Sequence, residues 1–143
     1  MRIAVVVAQF NDFVTTRLRD GALAQLRDAG VGEGDVRVFD VPGAFEVPQM
    51  ARRIADTGDF DGVVCLGCLI RGATPHFEYI SSAVAQGIMS SALETGVPMS
   101  FGVLTTNSAE EALERAVEGP SNKGREAAQA VIDMVRAGAS IGS

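Results

Sequence analysis

Apolar residues run unbroken through Ile3-Ala-Val-Val-Val-Ala8, the β-branched pattern of a strand covered on both faces. The period then changes. Val14, Leu18, Ala22 and Leu26 recur every four residues, which predicts a helix capped by Asn11 or Asp12 and ended by Gly30. Residues 35–41 alternate and predict a second strand, broken by Pro42-Gly43. A helix over residues 45–55 follows, with Pro48 tolerable only in its first turn. Residues 62–66 predict a third strand, 67–76 a polar loop containing glycine, 78–94 a helix and 98–105 a fourth strand. Two last helices, 109–117 and 124–135, are separated by Gly119-Pro120.

Strands that alternate with helices make βαβ units, a parallel sheet and right-handed crossovers. The expectation is an α/β three-layer sandwich, a four-stranded parallel sheet flanked by helices, forming a single domain over residues 1–143. Ligands of such sheets lie at the carboxyl ends of the strands. The loops to inspect are therefore Gln9-Phe10-Asn11 and residues 41–46, 67–76 and 105–108. The composition narrows the partners. A hydrophobic fraction of 47% excludes disorder. A net charge of −6 argues against nucleic acid or an anionic membrane as the main partner. The longest run without a polar residue, Gly62–Ile70, is about half of the roughly 18 residues a membrane span needs. The first apolar stretch is too short for a signal peptide, so a cytoplasmic location is expected. Two cysteines are too few for a disulfide scaffold.

Arg71-Gly-Ala-Thr-Pro-His76 combines a cation, a glycine, a hydroxyl and a histidine just ahead of a helix. Backbone N–H groups at a helix start and the positive end of its dipole favour an anion such as phosphate. The same residues fit a plainer arrangement, with Thr74 capping the helix and Arg71 paired to a surface carboxylate. His76, the single histidine, suits proton transfer near neutral pH or a structural place. Phe10 fits stacking on a flat ring or stapling the first helix to the sheet. Glu46 fits acceptance of hydrogen bonds from ligand hydroxyls, or a first-turn glutamate favoured by the helix dipole. Cys65-Leu-Gly-Cys68 spells CxxC. Residues three apart on a strand point to opposite faces, and a redox pair is expected to open a helix, so both are expected to be buried packing residues. A lone CxxC with one histidine makes no metal set. No Gly-x-Gly-x-x-Gly or Walker nucleotide loop is present, and no serine sits on a strand-to-helix elbow of the Gly-x-Ser-x-Gly type.

Six segments together resemble the lumazine synthase family. They are Phe10-Asn11, Val41-Pro-Gly-Ala-Phe-Glu46, Gly67-Cys-Leu-Ile-Arg-Gly-Ala-Thr-Pro-His-Phe-Glu-Tyr-Ile80, Phe101-Gly-Val-Leu-Thr-Thr106, Glu114-Arg-Ala116 and Asn122-Lys-Gly124. They occur in the family's order and spacing and span nearly the whole chain; Ile-Arg-Gly-x-Thr-x-His is the most specific. The resemblance implies a flavodoxin-like topology and a transferase of riboflavin biosynthesis that needs no cofactor or metal. The family condenses 5-amino-6-(D-ribitylamino)uracil with 3,4-dihydroxy-2-butanone 4-phosphate to 6,7-dimethyl-8-ribityllumazine, releasing phosphate and water. By resemblance, Phe10 stacks on the pyrimidine, while Ala44, Phe45 and Glu46 hold the ribityl chain. Backbone groups of Cys68, Leu69 and Ile70 read the pyrimidine edge. Ala73 and Thr74 bind the phosphate with Arg115, Lys123 lies near that end, and Arg71 supports. His76 shuttles protons. The family's unit is a homopentamer in which the neighbouring subunit completes each site with its Phe101 and Arg115.

In some members pentamers close into an icosahedral shell. Here only Met1 and Arg2 precede the first strand, and Gly119-Pro120-Ser121 replaces the glycine- and lysine-rich turn expected of shells, so an isolated pentamer is expected. Three rivals share the fold class. An archaeal-type riboflavin synthase does not require the phosphate site, and Thr74 with Arg115 argues against it. A flavin or lumazine carrier would bind without condensing. A flavodoxin-like electron carrier would need a phosphate loop after the first strand, which is missing.

Overall fold

The computed structural model describes residues 1–142. Strand β1 (Ile3–Ala8) is buried at all six positions, as its unbroken β-branched run requires. Then follow α1 (Asp12–Asp28), β2 (Val36–Val41), α2 (Val47–Asp56), β3 (Gly62–Ile70), α3 (His76–Thr95), β4 (Met99–Thr106), α4 (Ala109–Arg115) and α5 (Lys123–Ala139). The sheet order is β2-β1-β3-β4 and every pair is parallel. Alternate residues of the central strands feed two separate cores. Ile3, Val5, Val7, Val64 and Leu66 pack under α1, α4 and α5. Ala4, Val6, Ala8, Val63 and Cys65 pack under α2 and α3. Each buried aliphatic side chain contributes about 1.5–3 kcal/mol to this three-layer arrangement.

Helix α3 is the exception to the pattern of one buried face. Of its twenty residues only Val84, Ile88 and Ser91 are buried, while Tyr79, Met89 and Leu93 stand in solvent, Leu93 at 75%. No described helix is long and apolar enough to cross a membrane.

Four local expectations need correction. First, β3 does not stop at Leu66 but continues to Ile70, so Cys68, Leu69 and Ile70 lie on a strand and the loop shrinks to residues 71–75. Gly67 reads as a turn signal, yet it lies within the strand, where a Cβ would meet the Ala44 Cβ and the Val103 Cγ1 at an ordinary contact distance of 3.4 Å. Second, Asn11 stands at the start of α1 in the left-handed region, φ 65°, and its side chain makes no cap bond. Third, α3 begins at His76 rather than residue 78, with Pro75 before it and no side-chain cap. The Thr74 hydroxyl only accepts a long 3.4 Å bond from the His76 N–H. Fourth, β2 does not alternate cleanly between buried and exposed positions, because it is an edge strand and only Val41 is fully buried.

Candidate active site

The ends of β1, β2 and β3 are tied to one another. The Gln9 N–H donates to the Val41 carbonyl at 2.8 Å and the Phe10 N–H to the Pro42 carbonyl at 2.9 Å. The Asn11 amide donates to the Cys68 carbonyl at 2.9 Å. The left-handed turn at Asn11 is thus held as a clasp between β1 and β3, and Phe10, just before it, points outward with 71% of its surface exposed. Sequence reasoning missed this use of Asn11; an asparagine directly after a buried strand was the available signal, because Asn tolerates that conformation. A Cβ on Gly43 would lie 3.3 Å from the Glu46 Oε1 and 4.0 Å from the Phe10 Cβ, so Phe10, Gly43 and Glu46 adjoin. A 3-10 turn, Ala44–Glu46, leads into α2. It buries Ala44 against the Gly67 backbone and leaves Phe45 exposed.

The sheet register adds a second element. β1 pairs with β3 only through Leu66, whereas β4 accompanies β3 to Ile70. Residues 67–70 therefore have a ladder on the β4 side and overrun β1 on the other. There the Asn11 amide takes the Cys68 carbonyl, and the remaining main-chain groups on that side lie beyond the end of the β1 ladder. Backbone groups displayed in this way can recognise the planar donor and acceptor edge of a heterocycle.

Beyond β3, Ala73, Thr74 and His76 are exposed at the N-terminus of α3, where unpaired N–H groups and the dipole favour anions. Arg71 is engaged elsewhere. Its guanidinium meets Glu78 at 2.5 Å and the Asn107 Oδ1 at 3.0 Å, and lies 4.7 Å from the centre of the Phe77 ring. The plainer reading of Arg71 is the one its contacts support.

Phe101 and Lys123 lie apart from this cluster, whereas Arg115 is linked to Arg71 through Glu111, whose carboxylate also accepts from the Asn107 N–H. Phe101 sits mid-strand on β4, the edge opposite β2, and is half exposed. It shares a shallow hollow with Gly102, Lys123 and Glu126. Lys123 opens α5 and pairs with Glu126 at 2.9 Å. Arg115, the last residue of α4, reaches the Glu111 carboxylate at 2.8 Å and the Glu111 carbonyl at 3.3 Å. Both cations pair with surface carboxylates, in pairs worth about 0–1 kcal/mol, which an incoming phosphate can displace.

Cys65 and Cys68 belong to opposite cores, the former under α2 and α3, the latter under α1 and α5. Burial pushes their thiols up, to about 12 and about 11, so neither serves as a thiolate near neutral pH. Among the described residues no group of three or more His, Cys, Asp or Glu could hold a metal ion.

Comparison with known proteins gives a consistent result. The profile of a family described as 6,7-dimethyl-8-ribityllumazine synthase matches residues 1–138. A protein of Syntrophus aciditrophicus (strain SB) named 6,7-dimethyl-8-ribityllumazine synthase is 50% identical over 135 residues, covering 94% of this chain and 88% of the relative.

Proposed function

Because the chain belongs to the 6,7-dimethyl-8-ribityllumazine synthase family, we propose how its own residues carry out the family's condensation. The enzyme is a transferase of riboflavin biosynthesis. It joins 5-amino-6-(D-ribitylamino)uracil to 3,4-dihydroxy-2-butanone 4-phosphate and forms 6,7-dimethyl-8-ribityllumazine, phosphate and water. In our assignment, Phe10 stacks on the pyrimidine and the main chain of Cys68, Leu69 and Ile70 reads its edge. Ala44, Phe45 and Glu46 hold the ribityl chain, with the Glu46 carboxylate accepting from its hydroxyls. Ala73 and Thr74, at the start of α3, receive the phosphate together with Arg115 and Lys123.

The aromatic amine is already nucleophilic. It attacks the ketone carbonyl, water leaves, and an imine forms. Loss of a proton next to the imine drives elimination of phosphate, and the ribityl-bearing nitrogen then closes the ring with loss of water. His76 takes and returns the protons of these steps, a role worth about 10²–10⁴-fold in general. Holding the two reactants in register contributes several kcal/mol more.

We further propose a homopentamer with each site between neighbours, working in the cytoplasm as an isolated ring and without nucleic-acid or membrane partners. The observation that carries the shared site is the placement of Phe10 and Glu46 after β1 and β2 and of Phe101 and Lys123 on the β4 edge, with β3 between them. The exposed apolar side of α3 supports burial against a second copy, since large apolar patches mark contact surfaces. The test is an absorbance assay for lumazine formation from the two substrates, paired with a native mass. Product formation by a five-subunit particle is expected. An active monomer would overturn the shared site, and a particle of sixty subunits would overturn the isolated ring.

A further inference from the structure

Arg115 ends one helix and Lys123 begins the next, and between them lies a fully buried amide. Asn122 is 1% exposed. Its Oδ1 accepts from the N–H groups of Gly124 at 2.8 Å and Arg125 at 3.1 Å, capping α5. Its Nδ2 donates to the carbonyls of Ala116 at 3.0 Å, Val117 at 3.2 Å and Arg17 at 3.3 Å. The first two follow the last residue of α4, where a helix leaves carbonyls without internal partners; the third belongs to α1. One side chain thus joins three helices.

The surroundings are shaped to admit this side chain. A Cβ on Gly21 would fall 2.1 Å from the Asn122 Oδ1, and one on Gly124 would fall 2.9 Å from the same oxygen. A helix cap alone does not need such fitting, because Ser, Thr or Asp cap equally well on a surface. What only an amide supplies here is an acceptor for α5 together with donors for the end of α4.

We propose that Asn122 is a positioning residue for the reaction: it fixes the end of α4 to the start of α5 so that Arg115 and Lys123 are presented at one spacing to the phosphate of the butanone substrate. This rests on the assignment of Arg115 and Lys123 to that phosphate. The side chain touches no reactant and acts only through the two cations.

Asn122→Ser separates the two halves of the role, keeping an oxygen for the α5 cap and losing the donors to Ala116 and Val117. The expected result in steady-state assays of the assembled enzyme is a KM for butanone phosphate raised about tenfold, in line with the cost of displacing a binding group by a fraction of an ångström. The KM for the ribitylaminouracil and kcat are expected to stay within about twofold. A purely structural role would lower thermal stability and leave the two KM values unmoved relative to each other, and that result would overturn the proposal. In the Arg115→Ala background, Asn122→Ser is expected to add no further rise in the KM for butanone phosphate beyond about twofold; a full additional tenfold would also overturn it. If Arg115→Ala alone leaves that KM unchanged, the phosphate assignment itself is wrong and the positioning role falls with it. If Arg115→Ala raises it and Asn122→Ser does not, only the positioning role fails. Asn122→Asp keeps the cap and the volume and is expected to show the same selective rise. Loss of folding in both variants would also overturn the proposal, by making the role global.

Discussion

Two patches carry the candidate chemistry, and they are built differently. The strand-end patch around Phe10, Glu46 and residues 67–70 is braced from several directions: Asn11 clasps the Cys68 carbonyl, Phe10 hangs on Pro42, and Ala44 packs on Gly67. The β4-edge patch offers a half-exposed Phe101 and Lys123, which pairs with Glu126, while Arg115 stands at the end of α4, paired with Glu111. The first has the rigidity needed to hold a ring in place. The second has mobile charge for an anion and lies on the opposite edge of the sheet from β2. The shared site proposed above would have each copy supply the first patch to one neighbour and the second to the other.

The most demanding way to break this comparison is complementation. Phe10→Ala and Arg115→Ala are each expected to lower kcat/KM by about 10²-fold, since stacking and charge-assisted bonds are worth about 1–3 kcal/mol apiece and act before closure of the site. Refolding the two variants together is expected to restore about a quarter of wild-type activity, because a random ring pairs the two intact halves at that frequency. Sites contained within one protomer would recover nothing. Next in size, His76→Ala is expected to lower kcat by about 10²-fold at most, the low end for a proton shuttle, with both KM values little changed. Full turnover in that variant would remove His76 from the chemistry. Smaller again, Phe101→Ala is expected to raise the KM for the ribitylaminouracil about threefold and Phe10→Ala about tenfold, a ranking that follows from a braced shelf against an edge-strand cover. Equal effects would erase the distinction between the patches.

The smallest effect concerns the cores under them. Because burial raises both thiols, Cys65 and Cys68 favour the folded state in their neutral form. That contribution is complete below the unfolded thiol pKa of about 8.5 and is lost as pH rises toward about 11 and about 12. The urea midpoint is expected to fall above pH 9, and Cys65→Ser/Cys68→Ser is expected to flatten that fall. Iodoacetamide at pH 8 is expected to leave both thiols of the folded enzyme unmodified.

Periodicity made the βαβ alternation, the buried β1 and the inward face of α1 legible, because these depend on local spacing of Val14, Leu18, Ala22 and Leu26. It misjudged the end of β3, since Gly67, a residue type that often marks a turn, sits here inside the strand, and residue type alone does not separate the two. It read Asn11 as a cap because the partner of its amide, the Cys68 carbonyl, is fifty-seven residues away. The motif residues of the candidate site were readable as a family resemblance. Their distribution over two patches follows from the strand order, in which β4 ends up at the far edge, and hydrophobic period does not encode strand order.

The overrun of β3 beyond β1 has a consequence for mutational scans. If residues 67–70 read the heterocycle, they do so with amide and carbonyl groups that every amino acid but proline carries alike. Replacing Leu69 or Ile70 by other aliphatic residues would leave that vocabulary intact, so a scan that swaps only side chains would pass over the most selective part of the pocket. A single amide-to-ester exchange at Ile70, whose N–H lies on the side away from β4, introduced by semisynthesis, would make it visible.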